Sequence, residues 1–529
     1  MDPLNFKRFK GNRFAEILLR WPCPQRVLMV TDDAGFGLDF GTGGFGLSEF
    51  VGIVRGAGHA VTTGHRNGHA SASLSGNFNF ATASTAVTAA NYDQIWIFGF
   101  NTTALSVPEQ ETIARFMQAG GGVFATGDHE SIGSGMGAHI PRVRRMRNWS
   151  SVPMFNQNRH DTVLDPGSDG VKQFDDQADA IAQRIYPHFF FNGGPSNLAS
   201  SWSVHPVLRH ASGAVDVLPD HAHESECLAP TPAAGSFAGV EEWPAPVGGG
   251  ARIAPQVVAV SMSAGRFITD TLKPPVNPHS FGAISAYDGD AANVGRIVCD
   301  ATWHHFVNIN LNGSGAVADS AGSSRQGLYA AGVPTAEYEK IQRYFLNTVR
   351  WLAPKGRRTC FPFVISAIAR FDFEIAELQL PRPHPCPWDP LLEIGRVAES
   401  VVQRHWGPGI AAEVVDGMLA TALPGSTLSR VLSAHQPDPA DKRAQENDAS
   451  LLPVQDLRRV LLGSMINVLA QQLPIDEDKL IALGREAHDK LAAKLLTEAV
   501  STAEPAIQDY LGRAATQLRS FIKLLQERK

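Results

Sequence analysis

Short apolar runs alternate with helical patterns through the first 390 residues, and this alternation limits the fold more than any other feature. "QRVLMVTDD" at 25–33 predicts a strand, and "LSEFVGIVRGAG" at 47–58 predicts a helix. A strand "YDQIWIFGF", a helix "PEQETIARFMQAGGG" and a strand "VFATGDHE" follow. Because strands separated by helices pair in parallel, we predict an α/β fold with a mainly parallel sheet covered by helices on both faces.

The later part of this region repeats the pattern after a long interruption. "VGRIVCDATWHH" at 294–305 predicts a strand, and "TAEYEKIQRYFLNTVRWLAP" at 335–354 predicts an amphipathic helix. Between them, residues 135–295 mix loops, short strands such as "QVVAVSM" and a helical pattern at 175–187. We interpret 135–295 as a loop-rich insertion on the sheet.

Composition changes near residue 390. Residues 391–529 hold only 8 of the 49 glycines, and their apolar residues recur at helical spacing. The segment 380–390, "LPRPHPCPWDP", has the repeated prolines of an extended linker. We therefore predict an N-terminal extension over 1–24, an α/β domain over 25–379, this linker, and an all-α domain over 391–529.

Charge and cysteine usage narrow the function class. A net charge of -6 favours small molecules or proteins as partners over nucleic acid or an anionic membrane. The five cysteines are scattered, which predicts neither a disulfide framework nor a zinc cluster and favours a reducing compartment. No apolar leader or stretch of about 18 apolar residues is present. These features predict a cytoplasmic protein.

Polar residues cluster where strands or extended segments end, and ligands bind beyond the carboxyl ends of parallel strands. Four clusters stand out: Asp32 and Asp33 with Gly35 and Gly37; Asp128, His129 and Glu130; Asp220, His221, His223, Glu224 and Glu226; and Asp300, Thr302, His304 and His305.

These clusters suggest different chemistries. Asp128, His129, Glu130, His304 and His305 are candidates for acid–base work, since imidazoles and carboxylates exchange protons near neutral pH. Acids and glycines beyond the strands are candidate ligand contacts: Asp32, Asp33, Gly35, Gly37, Asp220 and Asp300. The glycine run is equally typical of a flexible turn that supports neighbouring acids.

Two further patterns stay open. His221, His223 and Glu224 have the composition of a zinc, manganese or iron site, or of a hydrogen-bonded polar loop. Arg142 and Arg144, in "IPRVRRMRNW", suit a clamp for a carboxylate or phosphate, or ion pairs within the protein. No G-x-S-x-G motif is present, and no cysteine follows the strand at 123–130.

Several of these motifs together resemble the ThuA-like (trehalose-utilisation) branch of the class I glutamine amidotransferase-like fold. They are "YDQIWIFGF", "GGGVFATGDH", "WSVHPVL", "DHAHESE", "GRIVCDATWHH" and "YFLNTVRWLAP", within residues 25 to 354. The resemblance implies a flavodoxin-like sheet with a pocket at the strand ends, and His129 looks like the histidine of that family's elbow. The amidotransferase cysteine is missing at this elbow, so glutaminase chemistry is not implied.

Two hypotheses follow. In the first, the chain is a hydrolase of a small polar substrate, carbohydrate derivatives included, with Asp128 or Glu130 and His129 in acid–base roles. His304 or His305 then polarises the substrate or ligates a metal. In the second, it is a non-catalytic ligand-binding or scaffold protein whose residues 391–529 bind a partner or a second copy.

Overall fold

The computed structural model describes most of the chain in separate ranges. These are 23–32, 38, 46–69, 72–74, 76–82, 87–128, 131–149, 182–191, 202–219, 225–263, 279–313, 327–358, 360–370, 372–376, 378, 387–423, 454–472 and 485–527.

One mixed sheet of nine strands organises the α/β part. Its strands are β1 Arg26–Thr31, β2 Ala60–His65, β3 Gln94–Phe98, β4 Gly122–Thr126, β5 Ala182–Pro187, β6 Val217–Pro219, β7 Gln256–Ser263, β8 His279–Tyr287 and β9 Ile297–Asp300. Their order is β6-β5-β7-β8-β9-β4-β3-β1-β2. The pairs from β9 to β2 are parallel, and the pairs from β6 to β9 are antiparallel. The described chain thus has an α/β architecture.

The region interpreted as a loop-rich insertion contributes four strands to the sheet itself, β5 to β8. The helix predicted at 175–187 is wrong over its second half, where Ala182–Pro187 forms β5. Buried Gln183 and Ile185 alternate with exposed Arg184 and Tyr186, which is the period of a strand rather than a helix. Residues 175–181 lie outside the described part.

Helices cover both faces of the sheet, as predicted. They are α1 Ser48–Gly56, α2 Val107–Gln118, α3 Ser134–Gly137, α4 Val143–Met146, α5 Asn308–Leu311 and α6 Ala336–Trp351. The side chains of β1 alternate: Met29 packs in the cluster with α1 and α6, and Leu28 in the cluster with α2. The three helices predicted at 47–58, 108–122 and 335–354 are confirmed.

Short elements connect these layers. Two-stranded ribbons pair Phe189–Phe191 with Trp202–Val204, Arg209–His210 with Gly213–Ala214, Ser236–Phe237 with Val240–Glu241, and Tyr329–Ala330 with Val333–Pro334. The 3-10 helices are Pro206–Leu208, Asp290–Ala292, Trp303–His305 and Lys355–Arg357.

The remaining helices form a separate apolar core. They are α7 Cys360–Arg370, α8 Phe373–Ala376, α9 Trp388–Trp406, α10 Ile410–Ala422, α11 Val454–Gln472 and α12 Arg485–Glu527. α9 and α11 pack so closely that a Cβ atom at Gly395 would lie 1.8 Å from the carbonyl oxygen of Arg459. Residues of α7, within the range predicted for the α/β domain, pack in this helical core. No helix among the described residues is both long and apolar enough to cross a membrane.

A disulfide links Cys23, before β1, to Cys360 at the start of α7. The sequence predicted no disulfide framework, and it did not predict this single disulfide. Spacing along the sequence could not reveal it, because the two residues stand 337 positions apart. Cys227 and Cys299 are free thiols in the sheet region, and both are buried.

Candidate functional site

The parallel strands bring several predicted polar residues to one edge of the sheet. Asp32 directly follows β1, Asp128 lies two residues beyond β4, and Asp300 ends β9. Because β1, β3, β4 and β9 run in the same direction, their carboxyl ends share this edge. The first, second and fourth predicted clusters thus each place an aspartate here.

Asp128 is held by residues that follow β9. Thr302 donates its hydroxyl hydrogen to Oδ1 of Asp128 at 2.7 Å. Oδ2 of Asp128 lies 3.4 Å from Nε2 of His304. The Thr302 hydroxyl also accepts from the His304 amide at 3.1 Å and so caps the 3-10 helix at 303–305. Asp128, Thr302 and His304 form a buried acid–hydroxyl–imidazole group.

His305 belongs to a second buried group, centred on Asp300. Nδ1 of His305 lies 2.7 Å from Oδ1 of Asp300, and Tyr344 donates its hydroxyl hydrogen to Oδ2 at 2.7 Å. Burial and the neighbouring Asp300 carboxylate raise the pKa of Tyr344 well above its usual range, so the phenol remains a donor. Since both carboxylate oxygens are engaged by side chains from α6 and the 3-10 helix, this group fixes the position of β9 against α6.

Asp32 differs from both groups because only one of its oxygens is held. Oδ1 accepts hydrogen bonds from the amides of Phe100 at 2.7 Å and Asn101 at 3.1 Å. Oδ2 is buried and has no hydrogen-bond partner among the described residues. Burial raises the pKa of Asp32 to about 6. A carboxyl group with this pKa can both give and take a proton near neutral pH.

Aromatic rings connect Asp32 to the histidine side of the edge. The Phe100 ring, whose amide binds Asp32, lies 4.8 Å from the ring of Trp303. The Trp303 ring in turn lies 4.1 Å from the imidazole of His304. Ring contacts therefore link Phe100, whose amide binds Asp32, to His304.

Arg147 joins the ends of β4 and β9, a role that its place in the sequence does not indicate. The buried guanidinium donates to the carbonyl oxygens of Asp128 at 2.8 Å and Ala301 at 2.7 Å, and it lies 4.4 Å over the Trp149 ring. Burial lowers its pKa. In the sequence, Arg147 was one of four arginines within six residues, and no spacing rule separates buried Arg142 and Arg147 from Arg144 and Arg145.

Arg142 and Arg144 bind acidic residues of the protein itself. Arg144 holds the Glu242 carboxylate through Nε at 2.7 Å and Nη2 at 2.9 Å. Buried Arg142 donates through Nη1 to the carbonyl oxygens of Glu241 and Glu242. Arg144 thus forms an ion pair within the protein, as in the second alternative for this arginine run, whereas the side chain of Arg142 binds backbone carbonyl groups.

The other predicted residues fall outside the described part of the chain. They are Asp33, Gly35, Gly37, His129, Glu130, Asp220, His221, His223 and Glu224. Within the described ranges, no group of three or more histidine, cysteine, aspartate or glutamate residues could hold a metal ion. The predicted ligands of a metal lie in the undescribed segment 220–224.

The sequence matches no family model and no curated protein, and the fold matches no solved structure.

Thiol chemistry at this edge is disfavoured by the cysteines that are described. Burial raises the pKa of the Cys227 and Cys299 thiols well above the usual range, which keeps both protonated. Cys299 lies within β9, and the position beyond β4 is occupied by Gly127 and Asp128. Among the residues described at this edge, the groups suited to proton exchange are therefore carboxylates and imidazoles.

Proposed function

We propose that this chain is a hydrolase that acts on small polar substrates by acid–base chemistry at the carboxyl edge of its parallel strands. The observation that carries the proposal is the buried pair of Asp128 and His304, with 3.4 Å between Oδ2 and Nε2. A carboxylate at this position orients an imidazole and stabilises its protonated form. His304 is accordingly the general base of the proposal.

Asp32 supplies the second proton-transfer group. Water loses a proton to Nδ1 of His304 as its oxygen attacks the electrophilic atom of the substrate. Protonated Asp32 then gives its proton to the leaving group, and its pKa of about 6 leaves a useful protonated fraction near neutral pH. Transfer of the proton from His304 through water to the Asp32 carboxylate restores both groups.

The sheet order supports the proposed location. The parallel strands lie in the order β2-β1-β3-β4-β9, which corresponds to the 2-1-3-4-5 order of flavodoxin-like sheets. In such sheets ligands bind where the strand order reverses, beside the first and third strands, and Asp32 binds the amides that follow β3. This order is the one that the resemblance to the ThuA-like branch implies, and from that resemblance we include carbohydrate derivatives among the candidate substrates.

A metal-assisted form of the same chemistry is part of the proposal. His221, His223 and Glu224 would hold zinc, manganese or iron, which would polarise the substrate or lower the pKa of a bound water. Elemental analysis of protein purified without chelator tests this form. A stoichiometric metal that is lost from the His221→Ala variant supports it, and metal-free protein that hydrolyses substrate contradicts it.

The helical part offers a matched control for the proposed base. His405 and Asp372 form another buried pair, with 3.5 Å between Nε2 and Oδ2. A panel of chromogenic esters, glycosides and amides should reveal hydrolysis by the natural chain. We expect His304→Gln and Asp128→Asn to lower turnover by roughly 100-fold or more, and His405→Gln to leave it unchanged. Folding is checked by circular dichroism, and a folded His304→Gln variant with full turnover contradicts the proposal.

An exposed apolar face favours a second candidate function, a homo-oligomeric scaffold. Leu511, Ala515, Leu518, Ile522 and Leu525 of α12 recur at alternating intervals of four and three residues. Leu518, Ile522 and Leu525 are 45% to 56% exposed. Isoleucine and leucine in this repeat favour pairing with a second copy of the same helix.

Light scattering tests the scaffold function directly. We expect a dimer for the natural chain and a monomer for Leu518→Asp combined with Ile522→Asp. A matched double change on the same helix, Arg519→Asp with Lys523→Asp, should leave the dimer intact. A monomeric natural chain contradicts this candidate.

A further inference from the structure

A large cavity lies at the opposite edge of the sheet from Asp32, Asp128 and Asp300. Gln25, His59 and Arg296, which immediately precede β1, β2 and β9, line it, so it adjoins the amino ends of the parallel strands. Its other wall comes from the helical core, including Glu413 and Arg458. The volume is about 1360 Å³. Small-molecule sites typically have roughly 300 to 1,000 Å³, so this cavity is large enough for such a ligand.

The charge of the lining is strongly positive, although the chain as a whole has a net charge of -6. Eight basic side chains line it: Arg209, Arg296, Arg343, Arg350, Lys355, Arg357, Arg358 and Arg458. Four acidic side chains oppose them: Asp288, Asp290, Glu413 and Asp416. The surplus of cations favours an anionic occupant.

The centre of this surplus is a carboxylate shared by two arginines. Glu413 of α10 pairs with Arg209, and with Arg350 at 3.3 Å. The Nε atoms of Arg209 and Arg350 are buried and have no hydrogen-bond partner among the described residues. Arg209 is only 6% exposed. A buried guanidinium N–H without an acceptor lowers the stability of the folded protein, and a bound ligand that accepts this hydrogen bond removes the loss.

The protonation of neighbouring groups reflects the same positive field. Burial and the charges of Arg209, Arg343 and Arg296 together lower the pKa of Arg350 to about 10, against the opposing effect of Glu413. Burial, together with Arg209 and Arg296, also holds the pKa of His205 well below its usual range. His205 is therefore a neutral part of the lining.

Apolar side chains complete the cavity. Trp351, Phe361 and Ile365 line it, and the Arg296 guanidinium lies 4.8 Å over the Trp351 ring. Such a wall accommodates the organic part of a ligand, while arginines bind phosphate through paired N–H donors.

We propose that this cavity binds an organic phosphate, with the phosphate at Arg209 and Arg350 and the organic part against Trp351 and Phe361. Because Arg209 and Arg350 belong to the α/β part and Glu413 to the helical core, the bound phosphate replaces ion pairs that link the two parts of the chain. Glu413 occupies the phosphate position in the absence of ligand. This site is separate from the proposed hydrolytic edge and does not depend on it.

Calorimetric titration with inorganic pyrophosphate tests the proposal on the full chain. We expect saturable binding that weakens at least 10-fold in Arg350→Gln, a variant that keeps the pair of Arg209 and Glu413. Binding should strengthen in Glu413→Gln, because the competing carboxylate is removed. The exposed Arg115→Gln change on α2 is the control and should bind like the natural chain.

Citrate serves as the second probe, since a polycarboxylate carries similar charge without phosphate. Pyrophosphate binding that exceeds citrate binding by 10-fold or more supports the phosphate assignment. No saturable binding of pyrophosphate, equal binding in Arg350→Gln, weaker binding in Glu413→Gln, or preference for citrate would each overturn the proposal.

Discussion

The imidazole of His304 and the carboxylate of Asp128 meet across two neighbouring strand ends, with 3.4 Å between Nε2 and Oδ2. The next residue, His305, is directed to a different aspartate, Asp300, at 2.7 Å. Adjacent residues on a strand face opposite sides of the sheet, so a strand at this point would bring only one of the two histidines to a pocket. They lie instead in a 3-10 helix, which gives each histidine its own carboxylate.

The hydroxyl of Thr302 should contribute measurably to stability. Thr302→Val removes the donor to the buried Asp128 carboxylate and the cap of the 3-10 helix. We expect a loss of about 1 to 3 kcal/mol in the free energy of unfolding. Urea unfolding followed by tryptophan fluorescence measures it. Thr497→Val, on the exposed side of α12, should change stability by less than about 0.5 kcal/mol, and equal effects for the two changes would contradict this account.

Asp32 should make stability depend on pH. Its pKa in the folded protein, about 6, lies above the ordinary value of 3.8. The stability that the neutral carboxyl group contributes is therefore fully present below about pH 4 and is lost as the pH rises through 6. A shift of this size corresponds to about 3 kcal/mol at most. Asp32→Asn stays neutral at every pH.

The two forms should therefore differ more at high pH than at low pH. We expect Asp32→Asn to be more stable than the natural chain by about 1 to 3 kcal/mol at pH 7.5, and nearly equal to it at pH 4. Urea midpoints of both proteins at the two pH values measure this. A stability difference that is the same at both pH values would show that the carboxyl group is not responsible.

Arg147 should be among the most sensitive positions of the α/β part. Arg147→Met keeps the length of the side chain but leaves the buried carbonyl groups of Asp128 and Ala301 without their donor. We expect a loss of about 3 to 5 kcal/mol, measured by thermal and urea unfolding. The neighbouring Arg145 is exposed, and Arg145→Met should cost less than about 0.5 kcal/mol. A mild effect at Arg147 would contradict its assignment as a link between strand ends.

The cysteines should react in a distinct pattern. In folded protein at pH 8, iodoacetamide should leave Cys227 and Cys299 unlabelled, because both thiols are buried and have raised pKa values. Both should be labelled after unfolding. Peptide mapping without reductant should yield a linked peptide that contains Cys23 and Cys360. Rapid labelling of Cys299 in the folded state, or unlinked Cys23, would contradict the described arrangement.

Features with a local pattern could be predicted from the sequence, and features that depend on distant residues could not. The apolar runs at β1, β3, β4 and β9 gave the parallel strands and placed Asp32, Asp128 and Asp300 at one edge, because the end of a strand is a local property. The antiparallel half of the sheet was not predicted, although β7 was recognised as a short strand, because the apolar residues of β5 also fit the helical spacing predicted over 175–187. The role of Arg147 could not be predicted either, because its partners Asp128 and Ala301 follow two strands that are far apart in the chain.

The position of β9 beside β4 has a consequence for synthesis of the chain. Thr302, which follows β9, stands 174 residues after Asp128, which follows β4. At about 5 to 20 residues per second, a ribosome needs roughly 10 to 35 s to make the intervening segment. During that interval the apolar edge of β4 has no β9 to pair with, and unpaired strand edges promote aggregation. Translation speed and chaperone access should therefore affect the yield of folded protein more strongly for this chain than for one whose neighbouring strands are consecutive.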